Sequence, residues 1–452
     1  MSKEKISVAV IDKGGRGHVL VEQYAKSPDV ERVFAIPGND LMQATCTKQV
    51  VTHPTITTTD ITHILEICKK NDVSLVDVAQ DNAVAIGLVN ALSEVGIASV
   101  GPTREAGIIE WDKVWARDFM SRHHIPQPEF AHFATTESGI RYLRSHVDQP
   151  WFVKASGLAE GKGALPAENN YQAQERVLEL QRFGKSGETY LLEQWVKGED
   201  DKLAEEFSAF ALCDGANFSI IGYAQDYKRA LDGNAGENTG GMGCITPPSL
   251  IDSNIVAQVN EIFNKTVQGL AQEGRPYKGV LYLGGMIGTN KKVFVVEFNA
   301  RWGDPEAQIL VPSIQNDFIV LSKAISQGNV TSIPIQTNGK RRVVLAGTAK
   351  GYPQDYNSVK GKRIFGLENA INAPQVLVYG AGIKRIGCDW VVDGGRVFYI
   401  VGEGETVQEA KALAYATMNT IEIEGDNLHY RQDIADDEIK RLTRNQEDFV
   451  RI

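Results

Sequence analysis

Cysteine is scarce in this chain and follows no pairing pattern. Cys46, Cys68, Cys213, Cys244 and Cys388 are scattered through 452 residues, and no two form a CxxC pair. That excludes a disulfide framework and a cysteine-built zinc site, and it predicts a reducing compartment, the cytoplasm. Long apolar runs are also missing, so no segment is suited to span a bilayer. The polar start MSKEK, followed by a short strand, does not read as a signal peptide. Positive charge is not in excess. The net charge of −10 excludes a general attraction to nucleic acid or anionic membrane, although a local basic pocket stays open. Repeats, low-complexity tracts and a GxxxxGK[ST] loop are all absent. What is there is the composition of a soluble globular protein, rich in glycine and long enough for two to four domains.

The first hundred residues alternate between strand and helix signals. ISVAVI, VERVFAI and VSLVDVA are short β-rich runs, and DKGGRGHVLVEQYAK follows the first as a glycine turn and a helix. NAVAIGLVNALSEVG has helical apolar spacing. This alternation predicts a parallel sheet with helices on both faces. TREAGIIEWDKVWARDFMSRHH then reads as a helix stopped by Pro126 and Pro128. WFVKAS to TYLLEQWV repeats strand, glycine loop, helix, strand. Longer strands follow, ending in VLYLGGMIG and KVFVVEFN, an antiparallel hairpin around TNKK. The expected division is 1–103, an α/β substrate-binding domain; 104–334, a central domain whose lid covers about 126–200; 335–435, a small β-rich domain; and a tail, 436–452.

Four segments carry chemistry. KASGLAEGKGA, 154–164, sets glycines beside Lys154 and Lys162, which suits close approach to oxyanions. The same residues also suit a surface turn. LLEQWVKGED ends a strand with polar groups; solvated charge at a strand end is its plainer explanation. YAQDYKRALDGNAGENTGGMG is too polar and too glycine-rich for a core, and long loops of this kind are usually functional or disordered. In VVEFNARWGDPEAQ, Glu297 and Asn299 are two apart on a strand and share a face. Two oxygen donors suit Mg²⁺ when phosphates and waters complete its octahedron. Arg301 adds a fork for carboxylate or phosphate, and Gly303 and Pro305 turn Asp304 and Glu306 back toward it.

In this order the segments resemble the ATP-grasp fold, and more narrowly the glycinamide ribonucleotide synthetase (phosphoribosylamine–glycine ligase) family. GGRGHVL is similar to the family's GGREHAL, and IPGN, VGPT, QDYKR, NTGGMG, YKGVLYLGGMI, EFNARWGDPE, GYP and LHYRQDI have counterparts in sequence order. The resemblance implies an α/β and α+β protein: an ATP-grasp domain between an N-terminal Rossmann-like parallel-sheet domain and a small β-rich C-terminal domain. It implies ATP, with Mg²⁺ or Mn²⁺, and small-molecule substrates handled by a monomer or weak homodimer. Lys113, Lys154, Gly161, Lys162 and Gly163 are assigned to the ATP phosphates, and Glu193, Gln194, Val196 and Glu199 to adenosine. Glu297 and Asn299 would hold the metal. Arg301 would face the glycine carboxylate or its acyl phosphate. Gly14, Gly15, Arg16, His18 and Asn39 would line the ribose-phosphate end, with Asp226, Lys228, Asp232, Asn238, Gly240 and Gly241 nearer the amine. His18 also suits a solvent-facing place in the first helical turn.

The sequence departs from the family at Gly17, where the family has Glu, at Ser156, where it has Asp, and at AQDNAV, where a GPE-type segment is usual. Asp81 is expected to stand in for the acid missing at 17, because strand carboxyl ends converge at such a crevice. Two rival readings remain at this stage. One is an ATP-grasp ligase for a different amine or phosphorylated substrate. The other is a silent nucleotide-binding regulator, against which the retained Lys154, Glu297, Asn299 and Arg301 speak.

Overall fold

Alternation of buried strands and helices produces the expected first sheet. In the computed structural model, which describes residues 5–159, 163–199 and 202–450, with side chains to 444, five parallel strands run in the order Gln49–Thr52, Val30–Ala35, Ile6–Ile11, Val73–Val78, Ala98–Val100. The order reverses between Ile6–Ile11 and Val73–Val78, so a crevice opens at their carboxyl ends, where Asp12 to Arg16 and Gln80 to Asp81 emerge.

Two long helices expected from the sequence are each broken. NAVAIGLVNALSEVG forms Asp81–Ala85 and Leu88–Glu94, parted at Gly87, whose φ of +87° suits glycine. The second break lies at Asp112, between Arg104–Trp111 and Lys113–Arg122. Asp112 is extended there, and its carboxylate accepts the Trp115 N–H at 3.1 Å, capping the second helix. The break puts Lys113 at a helix start rather than mid-helix.

A four-stranded antiparallel sheet, ordered Phe130–Phe133, Tyr190–Gln194, Trp151–Ala155, Ala164–Ala167, follows with its own core of Leu143, Trp151, Val153 and Leu192. The larger sheet has nine strands. Val293–Asn299 and Lys278–Ile287 form the expected antiparallel hairpin at one edge, with positive φ at Asn290 and Lys291 in its turn. Glu205–Asp214, Phe218–Asp226 and Gly243–Thr246 come next. Gly243–Thr246 then pairs with Arg341–Ala349, which pairs with Arg396–Gly404. Arg341–Ala349, Arg396–Gly404 and Val376–Gly380, all from the C-terminal part of the chain, therefore continue the central sheet. A separate four-stranded sheet, Ile383–Ile386, Asp389–Val392, Arg363–Phe365 and Glu422–Ile423, lies beyond them. No helix among the described residues is long and apolar enough to cross a membrane.

Candidate active site

The strand Val293–Asn299 alternates, and its carboxyl end carries the charge. Glu297 lies where Lys228, Lys154 and Lys113 all act on its carboxyl. Burial alone would raise it, but the three ammonium groups outweigh burial and hold it below the usual carboxylate range. Asn299, 8% exposed, lies 3.5 Å from Glu297 through its amide nitrogen. Each lysine comes from a different element. Lys154 ends the buried strand Trp151–Ala155, Lys113 opens its helix with Nζ 3.2 Å from the Gly157 carbonyl, and Lys228 follows Phe218–Asp226. Lys154 and Lys228 also pair with Glu193 and Glu206, at 2.5 and 2.8 Å, so the ammonium groups are held in place within a small volume, where phosphate groups can meet them.

A buried ion trio fixes Lys154. Glu193 accepts from Lys154 Nζ at 2.5 Å and from Arg117 at 2.6 Å, and the side chains of Glu193 and Arg117 are 2% exposed. Arg117 also donates to the Val295 and Val296 carbonyls, at 2.9 and 2.7 Å. The small sheet is thereby bonded to the Lys113–Arg122 helix and to the Glu297 strand. Burial would raise the Glu193 carboxyl, but Arg117 and Lys154 keep it low. Beside it Val196 packs with Ala204 and Met286, an apolar patch at the strand end. Ser156 joins the loop to the helix: its hydroxyl donates to Asp112 at 3.0 Å and accepts the Val114 N–H at 3.2 Å.

Arg301 is held from one side. Its Nη2 pairs with the buried Glu110 at 2.8 Å and Nη1 reaches the Trp302 carbonyl at 3.2 Å, while the buried Nε has no partner among the described residues. Asp226 is similar: its side chain is 6% exposed, its Oδ2 lies 3.7 Å from Lys228, and the buried Oδ1 has no partner among the described residues. Burial raises the Asp226 carboxyl against the pull of Lys228, and Glu306 and Glu206 add to the rise. A donor and an acceptor left bare in the interior mark places for a polar ligand. Gly240 and Gly241 are pinned by Arg396, which donates to both carbonyls and to that of Asp304. A Cβ at Gly241 would come within 2.4 Å of Pro305.

Three regions of the sequence match the phosphoribosylglycinamide synthetase family: its N domain over 6–110, its ATP-grasp (A) domain over 111–307 and its C domain over 342–437. The phosphoribosylamine–glycine ligase of Streptococcus pneumoniae (strain ATCC BAA-255 / R6) is 36% identical over 442 residues, which is 96% of this chain and 100% of that protein. The chain belongs to the phosphoribosylglycinamide synthetase family. The crystal structure of the Thermotoga maritima phosphoribosylamine–glycine ligase superposes with a TM-score of 0.79 at 29% identity, covering 95% of this chain and all of the other. A biotin carboxylase domain of the 2-oxoglutarate carboxylase of Hydrogenobacter thermophilus shares the fold at 14% identity, with a TM-score of 0.70 over 93% and 91% of the two chains.

Against the roles the synthetase family implies, the structure gathers Lys113, Lys154, Lys228, Glu297, Asn299 and Arg301, with Asp226 beside Lys228. It gives other expected residues different work. His18 is fully buried, not solvent-facing: its Nδ1 accepts the Gly380 N–H at 2.8 Å and its Nε2 lies 2.7 Å from the Thr45 hydroxyl. Burial depresses its imidazole to about 3, so it stays neutral. Asn39 donates to the Lys13 and Gly380 carbonyls and caps a helix through Leu41 N–H. Asp232 is exposed and accepts the Gln432 N–H at 2.8 Å, fastening the C-terminal segment. Glu193 is spent on its ion trio, and the Gln194 amide on Glu129 at 2.9 Å. Asn238 donates to the Ala164 carbonyl at 3.3 Å, and Glu199 is exposed. Gly14 and Gly15 lie at the first turn, where a Cβ on Gly15 would stand 2.3 Å from Tyr399. Gly163 is described; Gly161 and Lys162 lie outside the described residues. Sequence reasoning missed Arg117, Glu110 and Arg396. Their only sequence signal is a charge on an otherwise core-facing position.

Proposed function

We propose that this chain is a phosphoribosylamine–glycine ligase that converts 5-phosphoribosylamine, glycine and ATP to glycinamide ribonucleotide, ADP and phosphate through a glycyl phosphate. The observation that carries the reading is the convergence of Lys113, Lys154 and Lys228 on Glu297, beside an Arg301 with a bare buried Nε. A carboxylate repels an attacking amine and has no good leaving group. Transfer of the γ-phosphoryl of ATP to a glycine carboxylate oxygen removes the charge and supplies the leaving group. The amine nitrogen then attacks the carbonyl carbon, the C–O bond to phosphate breaks, and the amide forms with loss of a proton.

The side chains divide this work. Lys154 and Lys113 spread the charge of the transferring phosphoryl, with Gly163 allowing close approach. Val196 and the ends of the strand that holds Gln194 offer an apolar face and backbone groups to adenine, with Glu199 at the ribose side. Arg301 Nε meets the glycine carboxylate. Asp226 as the carboxylate, the form Lys228 favours, accepts the proton the amine gives up and becomes the neutral acid, the form burial favours. The donor set at Glu297 and Asn299 fits Mg²⁺ or Mn²⁺: a carboxylate kept ionised and an amide, both oxygen-bearing and few in number. When bound there, the ion neutralises phosphate charge.

The test is ADP release with glycine and freshly prepared phosphoribosylamine, omitting each in turn, beside panels of other amines and acids. Turnover that needs both substrates supports the assignment. Faster turnover with another amine overturns it in favour of a different ATP-grasp ligase.

A further inference from the structure

Positions 12 and 17 cannot both carry a full side chain. A Cβ at Gly17 would stand 2.5 Å from Asp12 Cβ and 3.0 Å from its Cγ and Oδ1. The space at 17 is therefore filled from position 12, and Asp12 has no exposed surface. Its carboxylate is fully engaged: Oδ1 accepts the Gly14 N–H, and Oδ2 accepts Arg16 Nε at 2.8 Å. Arg16 donates from Nη1 to the Trp302 carbonyl at 2.9 Å, the same carbonyl that Arg301 reaches. One backbone oxygen thus joins the arginine of the N-terminal crevice to the arginine of the carboxylate corner. Asp81, the expected substitute for an acid at 17, stands at the same crevice, but the atoms nearest a Cβ at 17 belong to Asp12. Asp81 is partly exposed, accepts the Asn82 N–H at 2.7 Å, and acts on Arg301 and Glu110.

We propose that Asp12 is the acid of the phosphoribosylamine crevice, a positioning residue that occupies the room left by Gly17 and sets Arg16 and the Gly14 turn for the phosphorylated amine. The inference rests on reading this crevice as the phosphoribosylamine site. With Nε and Nη1 both taken, the guanidinium plane of Arg16 is fixed, and Nη2 makes no bond to the described residues. Fixing a long side chain in advance removes an ordering cost that the substrate would otherwise meet. Asp304 lies near as well, its Oδ2 3.3 Å from where a Gly14 Cβ would stand, and Arg396 pairs with it at 3.3 Å. The corner therefore balances two acids against two arginines. An uncompensated arginine is not what the phosphorylated amine meets.

The test is steady-state kinetics on Arg16→Ala, Asp12→Asn, Gly17→Glu and the double variant Asp12→Gly with Gly17→Glu. KM is measured for each of the three substrates, with a thermal melt for every variant. Asp12→Asn keeps the size and loses the charge. It is expected to raise KM for phosphoribosylamine about tenfold and leave KM for ATP within about twofold. Gly17→Glu alone should lose most activity, because two side chains compete for one space. The double variant should recover a phosphoribosylamine KM closer to the parent than either Gly17→Glu or Asp12→Asn, because an acid is returned from the other side. If Asp12→Asn unfolds, the double variant decides: recovery supports the proposal and no recovery overturns it. If Arg16→Ala raises that KM while a folded Asp12→Asn does not, Asp12 is packing and the proposal fails. If Arg16→Ala leaves it unchanged, the crevice is not the phosphoribosylamine site, and the underlying reading fails first.

Discussion

Glu297 and Glu193 are two acids with opposite tasks, told apart by their partners and by burial: Glu193 is buried and Glu297 half-buried. Glu193 is saturated by Arg117 and Lys154, whereas Glu297 faces three lysines with no close ion pair to any described residue. Replacing Glu297 by Gln and Asn299 by Ala is expected to cut kcat by more than a hundredfold while adenine-nucleotide binding, measured by titration with ADP, weakens by less than about tenfold. Unchanged turnover at limiting Mg²⁺ would remove both residues from the metal site. Ser156 makes the converse case. An Asp there would set a second carboxylate against Asp112, 3.0 Å from the present hydroxyl. Ser156→Asp should therefore lower kcat/KM for ATP by about tenfold, by disturbing Lys113 at the helix start. Equal kcat/KM in the two proteins would show that the loop tolerates the charge. The acids and lysines could be seen in the sequence because polar groups at strand ends and in glycine loops stand out from their surroundings. Whether an acid was free or spent could not, because Arg117 lies 76 positions from Glu193 and reads as one more charge on a helix.

Elements were legible where their period was strong. The strands Ile6–Ile11, Val30–Ala35 and Val73–Val78 and the hairpin around TNKK all lie where alternation and turn residues put them. The breaks at Gly87 and Asp112 were not legible, because the apolar spacing runs on across both. A single glycine or a single capping carboxylate ends each helix locally. Of the two readings of His18, the solvent-facing one fails for a related reason. A first-turn histidine usually meets solvent, but this one is covered by Gly380 from the far end of the chain. Its burial has a consequence for the helix Gly15–Lys26. An imidazole held near 3 in the folded chain and near 6.5 when unfolded binds its proton only on unfolding, between those limits. The unfolded state then carries more protons, so stability is full above about 6.5 and is lost as pH falls. His18→Gln should make the stability difference from the parent about 2 kcal/mol smaller at pH 5 than at pH 7, read from denaturant titrations. A difference independent of pH would mean that His18 takes up its proton as readily in the folded chain as in the unfolded one.

Across the whole molecule, the central sheet runs from the Glu297 strand through Gly243–Thr246 into the C-terminal strands. That continuity was hidden in the sequence because strand partners so far apart share no local signal. It gives Arg396 a route into the site from the last quarter of the chain: the guanidinium holds the carbonyls of Gly240, Gly241 and Asp304 together. Arg396→Met should lower kcat/KM for all three substrates by tenfold or more, with a loss of about 3 kcal/mol in stability, because it leaves buried oxygens without donors and removes the Asp304 ion pair. A variant with native stability and full activity would show that the C-terminal strands do not shape the site. The account as a whole stands on carboxylate activation by phosphoryl transfer, and glycine labelled with ¹⁸O in both carboxyl oxygens tests this most directly. If a glycyl phosphate forms and the amine displaces phosphate from it, one labelled oxygen leaves in each inorganic phosphate and one stays in the amide product. Phosphate free of label, with turnover intact, would contradict the account.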